Sequence, residues 1–240
     1  MRNVLVTGGS RGVGLAIVKA LAAEGYRVFA LARKQSAELS AAISAAPDRV
    51  HFVAMDLGVL EAIPELVRRL KAEHGPFYGL VNNAALGTSG LLSNMHNSDI
   101  EALLRINIQA PILLTKYVSR AMMTAGEGRI VTISSIVAST GYSGLSVYSA
   151  SKAAMLGFTR SLAREVGRMG ITVNAVAPGY MQTEMTEEMD QAQRDKIAAR
   201  SALRRLVDVE DVARMTVFLM GEGGRNITGT VLTVDAGNTA

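Results

Sequence analysis

Short apolar segments alternate with longer helical patterns along the whole chain. Residues 4–6, 27–32 and 50–55 are apolar runs of strand length, and helical patterns follow over residues 15–24 and 60–73. Parallel strands need a long crossover between them, and a helix usually supplies it. The alternation therefore predicts an α/β fold: a Rossmann-type doubly wound parallel sheet with helices on both faces.

The same rhythm continues to the end of the chain. Further strands are predicted from residue 79 and over residues 129–133, 171–177 and 231–234, with helices over 99–123, 148–167 and 209–220. No linker, repeat or low-complexity segment interrupts the pattern. We therefore expect a single domain over residues 1–240.

Composition excludes several classes of protein. The chain has no Cys, which rules out disulfides, thiolate nucleophiles and Cys-based metal sites. His51, His74 and His96 have no metal-ligand spacing, so no metal is expected. The net charge of +4 comes from scattered basic residues, which does not suggest a nucleic-acid partner. No apolar run has signal-peptide or membrane-span length, so we expect a cytoplasmic protein without membrane contact.

Polar or glycine-rich segments directly follow the apolar strands. Doubly wound sheets bind ligands at the carboxyl ends of their strands, so these segments predict one shared site. They are Thr7-Gly8, Asp56, Asn82-Asn83, Ser134-Ser135 and Pro178-Gly179.

The first of these segments opens a glycine-rich turn, Thr7-Gly8-Gly9-Ser10-Arg11-Gly12-Val13-Gly14. Glycine lets the backbone approach a pyrophosphate closely, and the following helix N-terminus offers amide donors to it. The alternative is a tight strand-to-helix turn without a ligand. The position directly after the first strand favours a dinucleotide site.

The end of the second strand indicates which dinucleotide. An acidic residue there favours NAD, but this chain has Ala32-Arg33, and Arg11 lies in the glycine turn. Two guanidinium groups suit a 2′-phosphate, which predicts NADP(H). The alternative for Arg33 is an ordinary solvated residue at a strand end.

Tyr148 and Lys152 share one helical face and follow Ser135 by thirteen residues or more. Tyrosine has a pKa of about 10, and a nearby ammonium lowers it toward the range that proton transfer needs. Such a pair is common on protein surfaces. Beside a serine at a strand end and a dinucleotide turn, it indicates a dehydrogenase or reductase.

These motifs together resemble the classical short-chain dehydrogenases/reductases over essentially the whole chain. The matching residues are Thr7-Gly8-x-x-x-Gly12-x-Gly14, Asp56-Leu57, Asn82-Asn83-Ala84, Asn107-Ile108, Ser135, Tyr148-x-x-x-Lys152, and Pro178-Gly179 with Thr183. One departure is Ala85, where the family often has Gly.

The resemblance implies four catalytic residues. Tyr148 would protonate the carbonyl oxygen, Ser135 would hydrogen-bond it, and Lys152 would hold the nicotinamide ribose and lower the tyrosine pKa. Asn107 would position a water next to Lys152. Ser134 is the alternative to Ser135, and the spacing to Tyr148 favours Ser135.

The resemblance also implies the remaining cofactor contacts. The glycine turn would hold the phosphates, Arg33 the 2′-phosphate, and Asp56 with Leu57 the adenine. The residues that would line the channel as far as the nicotinamide are Asn83, Ala84, Pro178, Gly179, Met181 and Thr183.

The substrate is less defined. The chain is similar to 3-oxoacyl thioester reductases, which implies an acyl-thioester substrate and, in that group, an acyl carrier protein. The basic docking residues of that group are thinned here, with Glu127 and Met169 in the relevant turns, although Arg129 and Arg168 remain. Another small ketone or secondary alcohol, and a non-enzymatic NADP-binding regulator, stay as alternatives. The intact catalytic set disfavours the regulator.

Two further expectations concern the lid and the assembly. Residues 180–206 contain Met181, Met185 and Met189, which suits an adaptable substrate lid or an ordinary packed helical pair. The resemblance implies a homotetramer, with the helices over 99–123 and 148–167 at one interface.

Overall fold

The computed structural model describes residues 1–181 and 191–240. Within them it contains seven strands: β1 (Asn3–Thr7), β2 (Arg27–Ala32), β3 (Val50–Ala54), β4 (Phe77–Asn82), β5 (Gly128–Ile133), β6 (Ile171–Pro178) and β7 (Val231–Val234). They form one parallel sheet in the order β3-β2-β1-β4-β5-β6-β7. This confirms the predicted doubly wound fold.

Eight α-helices lie in the described residues, joined in places by short 3₁₀ turns. They are α1 (Gly12–Ala23), α2 (Ala37–Ala45), α3 (Ile63–His74), α4 (Asn97–Leu104), α5 (Ala110–Ala125), α6 (Ser146–Val166), α7 (Gln191–Arg200) and α8 (Val209–Met220). Helices α1, α2 and α8 pack on one face of the sheet, while α3, α5 and α6 pack on the other.

Strand β1 shows why the central strands are apolar throughout. Val4 and Val6 join the core beneath α1 and α8, whereas Leu5 points into the opposite core beneath α3 and α5. All three are 0% exposed. A strand covered on both faces has no solvent side, so its sequence shows a continuous apolar run instead of alternation.

The region predicted as one helix over residues 99–123 is interrupted. A π-helical turn, Arg105–Gln109, separates α4 from α5 and contains Asn107. Such turns insert an extra residue into a helix and are frequent at functional sites. Periodicity does not show this, because the helix continues on both sides of the turn.

Helix α2 was not predicted, and α7 lies in the segment 180–206, where a helical pair was one of the two alternatives. Helix α2 begins after Ser36, whose hydroxyl accepts from the Leu39 N–H at 3.0 Å and donates to the Ser10 carbonyl at 2.6 Å. That N-cap ties the β2–α2 connection to the glycine turn.

None of the helices over residues 1–181 and 191–240 combines the length and apolarity that a membrane crossing requires.

Candidate active site

The site is organised where the strand order reverses, between β1 and β4. The Thr7 hydroxyl at the end of β1 accepts from the backbone N–H groups of Asn83 and Ala84, both at 2.9 Å. In return, the Asn83 amide donates to the carbonyls of Thr7 at 2.9 Å and Gly8 at 3.3 Å. These bonds hold the ends of β1 and β4 together, at the position where a doubly wound sheet binds its ligand.

The glycine turn needs its glycines for conformation and for space. Gly8 and Gly12 have φ of +66° and +52°, in the left-handed region that favours glycine. A Cβ at Gly14 would collide with the Gly8 carbonyl and the Asn83 amide, whereas one at Gly12 would meet no atom within 4 Å. The backbone therefore packs tightly behind the turn and leaves open space in front of the α1 N-terminus. This arrangement fits a pyrophosphate.

The residues predicted to contact the adenosine lie at the ends of β2 and β3. Arg33 and Arg11 are both exposed, and Arg11 occupies the N-cap position of α1. The Asp56 carboxylate accepts from the Gly58 N–H at 2.8 Å, and Leu57 beside it is partly buried. The structure thus presents two guanidinium groups to solvent on the glycine-turn side of the sheet.

Lys152 is a buried ammonium beside Tyr148. It is 5% exposed, its Nζ donates to the Ile133 carbonyl at 2.9 Å, and it lies 5.6 Å from the centroid of the Tyr148 ring. Burial lowers the pKa of Lys152 to about 8 and raises the pKa of Tyr148 to about 12. The tyrosine pKa is thus raised in this state and not lowered as expected, and its cause is burial of the phenol.

The two serines after β5 have different surroundings. Ser134 is buried, and its hydroxyl donates to the Lys152 carbonyl at 3.3 Å, which ties β5 to α6. Ser135 is only partly buried and begins a 3₁₀ turn, where its hydroxyl accepts from the Val137 N–H at 3.4 Å. Ser134 is thus engaged in packing, whereas Ser135 keeps its donor hydrogen for a ligand.

Asn107 contacts the loop after β4 as well as α6. Its amide accepts from the Leu86 N–H at 2.8 Å and donates to the Leu86 carbonyl at 2.9 Å and to the Ser151 hydroxyl at 3.1 Å. The π turn directs this side chain inward, and the residue is 3% exposed. Sequence reasoning did not identify Ser151; its place between Tyr148 and Lys152 was the only available signal.

The end of β6 supplies the opposite wall. Pro178 ends the strand, and a Cβ on Gly179 would lie 2.8 Å from the Asp235 Cα, so only glycine fits beside the β7 end. Met181 forms an isolated bridge with Val207. Thr183 lies outside the described residues, as do Met185 and Met189 of the predicted lid.

No cluster of three or more potential metal-ligating side chains occurs among the described residues. The residues described above supply backbone amides, hydroxyls, side-chain amides, the Asp56 carboxylate, one buried ammonium and peripheral guanidinium groups. That set suits binding of phosphates and proton transfer to an oxygen.

Comparisons with known proteins agree with this geometry. The profile of the short chain dehydrogenase family matches residues 2–194. The 3-oxoacyl-(acyl-carrier-protein) reductase FabG of Escherichia coli (strain K12) is 38% identical over 235 residues, or 97% of this chain and 95% of that protein. Nodulation protein G of Rhizobium sp. (strain N33) is 34% identical over 236 residues, or 98% of this chain and 96% of that protein.

A solved structure shows the same fold throughout. The blue fluorescent protein from a metagenomic library, crystallised in complex with NADPH, superposes with a TM-score of 0.92 and is 35% identical. The match covers 100% of this chain and 98% of that one. With the family profile, the relatives and the strand order in agreement, the chain belongs to the short-chain dehydrogenase/reductase family of oxidoreductases.

Proposed function

We propose that this protein is an NADP(H)-dependent carbonyl reductase, with the 3-oxo group of an acyl thioester as its substrate. The observation that carries the proposal is the buried Lys152 ammonium beside Tyr148, bonded to the Ile133 carbonyl at the end of β5, two residues before Ser135. A buried charge without a carboxylate partner is costly, so its retention indicates a role in the reaction.

The cofactor follows from two observations. The space in front of Gly12 fits a pyrophosphate, and the β2 end carries Arg33 where an NAD-selective chain has an acid. The related metagenomic protein was solved with NADPH. NADP(H) therefore suits this chain better than NAD(H), with Arg33 and Arg11 as the ligands of the 2′-phosphate. Ser10, Val13 and the rest of the glycine turn would hold the pyrophosphate.

The proposed chemistry divides between cofactor and protein. Bound NADPH supplies the hydride. Ser135 donates a hydrogen bond to the carbonyl oxygen, and Tyr148, protonated at neutral pH, gives that oxygen its proton. Lys152 provides a positive charge that favours the phenolate left behind and offers donors to the ribose. Asn107 fixes the loop that borders this space.

Relatives support the thioester, since the Escherichia coli reductase matches nearly the whole chain.

A second candidate is a ketone that needs no acyl carrier protein, and the amino-terminal edge of the sheet favours it. Arg129 is only 8% exposed and its guanidinium lies 5.5 Å from the Tyr78 ring centroid, while Glu127 pairs with Arg2 at 2.9 Å. Arg129 is then buried away from an acidic carrier and Arg2 is paired with Glu127 at the surface, whereas Arg168 is exposed.

Assembly, location and lid remain predictions. We infer a homotetramer from family membership, with α5 and α6 at one interface, and a cytoplasmic location where NADPH is supplied. Residues 180–206 are proposed to close over the substrate.

The first experiment measures NADPH consumption with a short 3-oxoacyl thioester. We expect turnover with NADPH, much slower turnover with NADH, and a loss of at least about a hundredfold in Tyr148→Phe. Tyr117→Phe on α5 is the matched control, because it removes a phenol hydroxyl away from the site and should leave kcat unchanged.

The same assay separates the candidates. Comparable kcat/KM for coenzyme A and carrier-protein thioesters would support a substrate taken without carrier docking. Tight NADPH binding with no turnover of any ketone would refute the enzymatic proposal and favour the regulator.

A further inference from the structure

A continuous chain of hydrogen bonds links the loop after β4 to the helix that carries Tyr148. The Leu86 backbone is held on both sides by the Asn107 amide, at 2.8 and 2.9 Å. The second Asn107 N–H donates to the Ser151 hydroxyl at 3.1 Å, and that hydroxyl donates to the Tyr148 carbonyl at 2.7 Å. Within this hydrogen-bond network, the Leu86 N–H and carbonyl, the Asn107 amide and the Ser151 hydroxyl all have partners.

The donors and acceptors of this hydrogen-bond network can be oriented in only one way that satisfies all of them. Ser151 is 0% exposed and Asn107 is 3% exposed, so bulk solvent does not reach their polar groups. The Ser151 hydroxyl has a single hydrogen, which goes to Tyr148, and it can meet Asn107 only as an acceptor. The Asn107 amide must therefore turn its nitrogen toward Ser151, and its oxygen is left for the Leu86 N–H.

We propose that Ser151 is a positioning residue, which fixes the Asn107 amide and thereby couples the loop after β4 to the Tyr148 helix. Ser151 shares the helical face of Tyr148 and Lys152, being three residues after the first. It is assigned no contact with substrate or cofactor. Its kinetic consequence rests on the proposed reductase function, whereas its structural consequence does not.

Removal of the hydroxyl would leave one Asn107 N–H without its acceptor at a site buried from bulk solvent. The Asn107 amide can then rotate toward another hydrogen-bond partner, which weakens its two hydrogen bonds to the Leu86 backbone. Because Asn107 and Ser151 join Leu86 to the Tyr148 backbone, the position of Tyr148 relative to the loop should change, and with it the geometry at the reacting carbonyl. The glycine turn that would hold the cofactor phosphates contacts the β4 end through Thr7 and Asn83 and not through Leu86, so phosphate binding should be unaffected.

The kinetic test compares Ser151→Ala with a matched control. Ser119 on α5 is 4% exposed and its hydroxyl likewise donates to a carbonyl three residues earlier, that of Lys116, at 3.3 Å. We expect Ser151→Ala to lower kcat about fivefold, the worth of one buried hydrogen bond, with KM for NADPH unchanged. Ser119→Ala should change neither constant. An equal loss of kcat in both variants would overturn the proposal.

A double-mutant cycle tests whether Ser151 acts through Asn107. In an Asn107→Ala background, Ser151→Ala should cause no further loss of kcat, because the amide that it positions is gone. Losses that multiply would contradict the proposed coupling. Ser151→Cys serves as a second variant: it retains side-chain volume while replacing the hydroxyl with a weak donor and acceptor, so the same loss is expected without a cavity.

Hydrogen exchange at the Leu86 amide gives a readout that needs no substrate. Exchange should become faster in Ser151→Ala and Ser151→Cys and stay unchanged in Ser119→Ala. Unchanged Leu86 exchange in the first two variants would refute the link, whatever the enzyme reduces. Absence of turnover in the unmodified protein would instead refute the proposed function and leave this measurement intact.

Discussion

Lys152 lowers the stability of the folded protein while it supplies a positive charge to the proposed active site. Its buried ammonium donates to one carbonyl, that of Ile133, and burial brings its pKa down from 10.5 to about 8. A lowered lysine pKa means that the folded state holds the proton less tightly than the unfolded state. The resulting loss of stability is fully present below pH 8 and disappears as the pH rises toward 10.5.

We therefore expect Lys152→Met to stabilise the cofactor-free protein at pH 7 while abolishing turnover. Replacing a buried, unpaired charge by an apolar chain of similar length should raise Tm by a few degrees, about 2–5 °C. The gain should shrink at pH 10, where the lysine of the parent protein is largely neutral. Calorimetry at the two pH values measures this, and a lower Tm at pH 7 would show that the ammonium stabilises the fold.

Cofactor choice also belongs to single residues. Arg33 is an exposed guanidinium at the end of β2, so its removal should not disturb the core. We expect Arg33→Ala to raise KM for NADPH about tenfold, the worth of one charge-assisted hydrogen bond, with KM for NADH unchanged. Lys19→Ala on α1 also removes one positive charge, at a different place, and is the control. An equal rise of KM for NADPH in the two variants would indicate long-range electrostatic attraction instead of a contact between Arg33 and the phosphate.

At the scale of elements, an aromatic cluster joins β2, β3 and α3. The Phe29 ring lies 5.2 Å from that of His51 and 4.7 Å from that of His74, and the two imidazoles are 6.1 Å apart. Burial, then the neighbouring His74 and Arg27, lower the pKa of His51, while Asp48 acts in the opposite direction. The packing of these elements thus favours a neutral imidazole.

This packing predicts an acid-sensitive contact. Because the folded state lowers the His51 pKa, its neutral form is favoured at pH 7, and stability falls as the pH drops below the ordinary value of 6.5. We expect His51→Phe to reduce the decrease in Tm between pH 7 and pH 5, with His96→Phe, an exposed site, as control. Parallel Tm curves for His51→Phe and the parent protein would contradict a contribution from this imidazole.

At the scale of the whole molecule, the cofactor crevice spans the carboxyl ends of strands on both sides of the switch point. A ligand that contacts the glycine turn, β2, β4 and α6 binds only the folded chain and must stabilise it. NADPH at about a hundred times its Kd should add about 2.7 kcal/mol, which corresponds to roughly 5–10 °C in Tm. NADH at the same concentration should add clearly less, and equal shifts would refute NADP(H) selectivity. Thermal scans with both cofactors test this.

Much of the fold was accessible from local patterns. Strands β2 and β7 and helix α8 have the predicted bounds, and α1 ends at Ala23, one residue before the predicted end. Chain-local signals, such as apolar runs, glycines and caps, specify these features. Helix α2 was missed because its short Ala- and Ser-rich segment has a weak apolar stripe, although Ser36 offered an N-cap signal.

Residue types and their spacing along the chain were enough to predict the parallel sheet, the glycine turn and the family. The interactions between the site residues became visible only in the folded structure. It revealed the π turn at Asn107, the link through Ser151 and the raised pKa of Tyr148. These depend on burial and on contacts between segments remote in sequence, since the free energy of a charge or hydrogen bond is set by its surroundings in space.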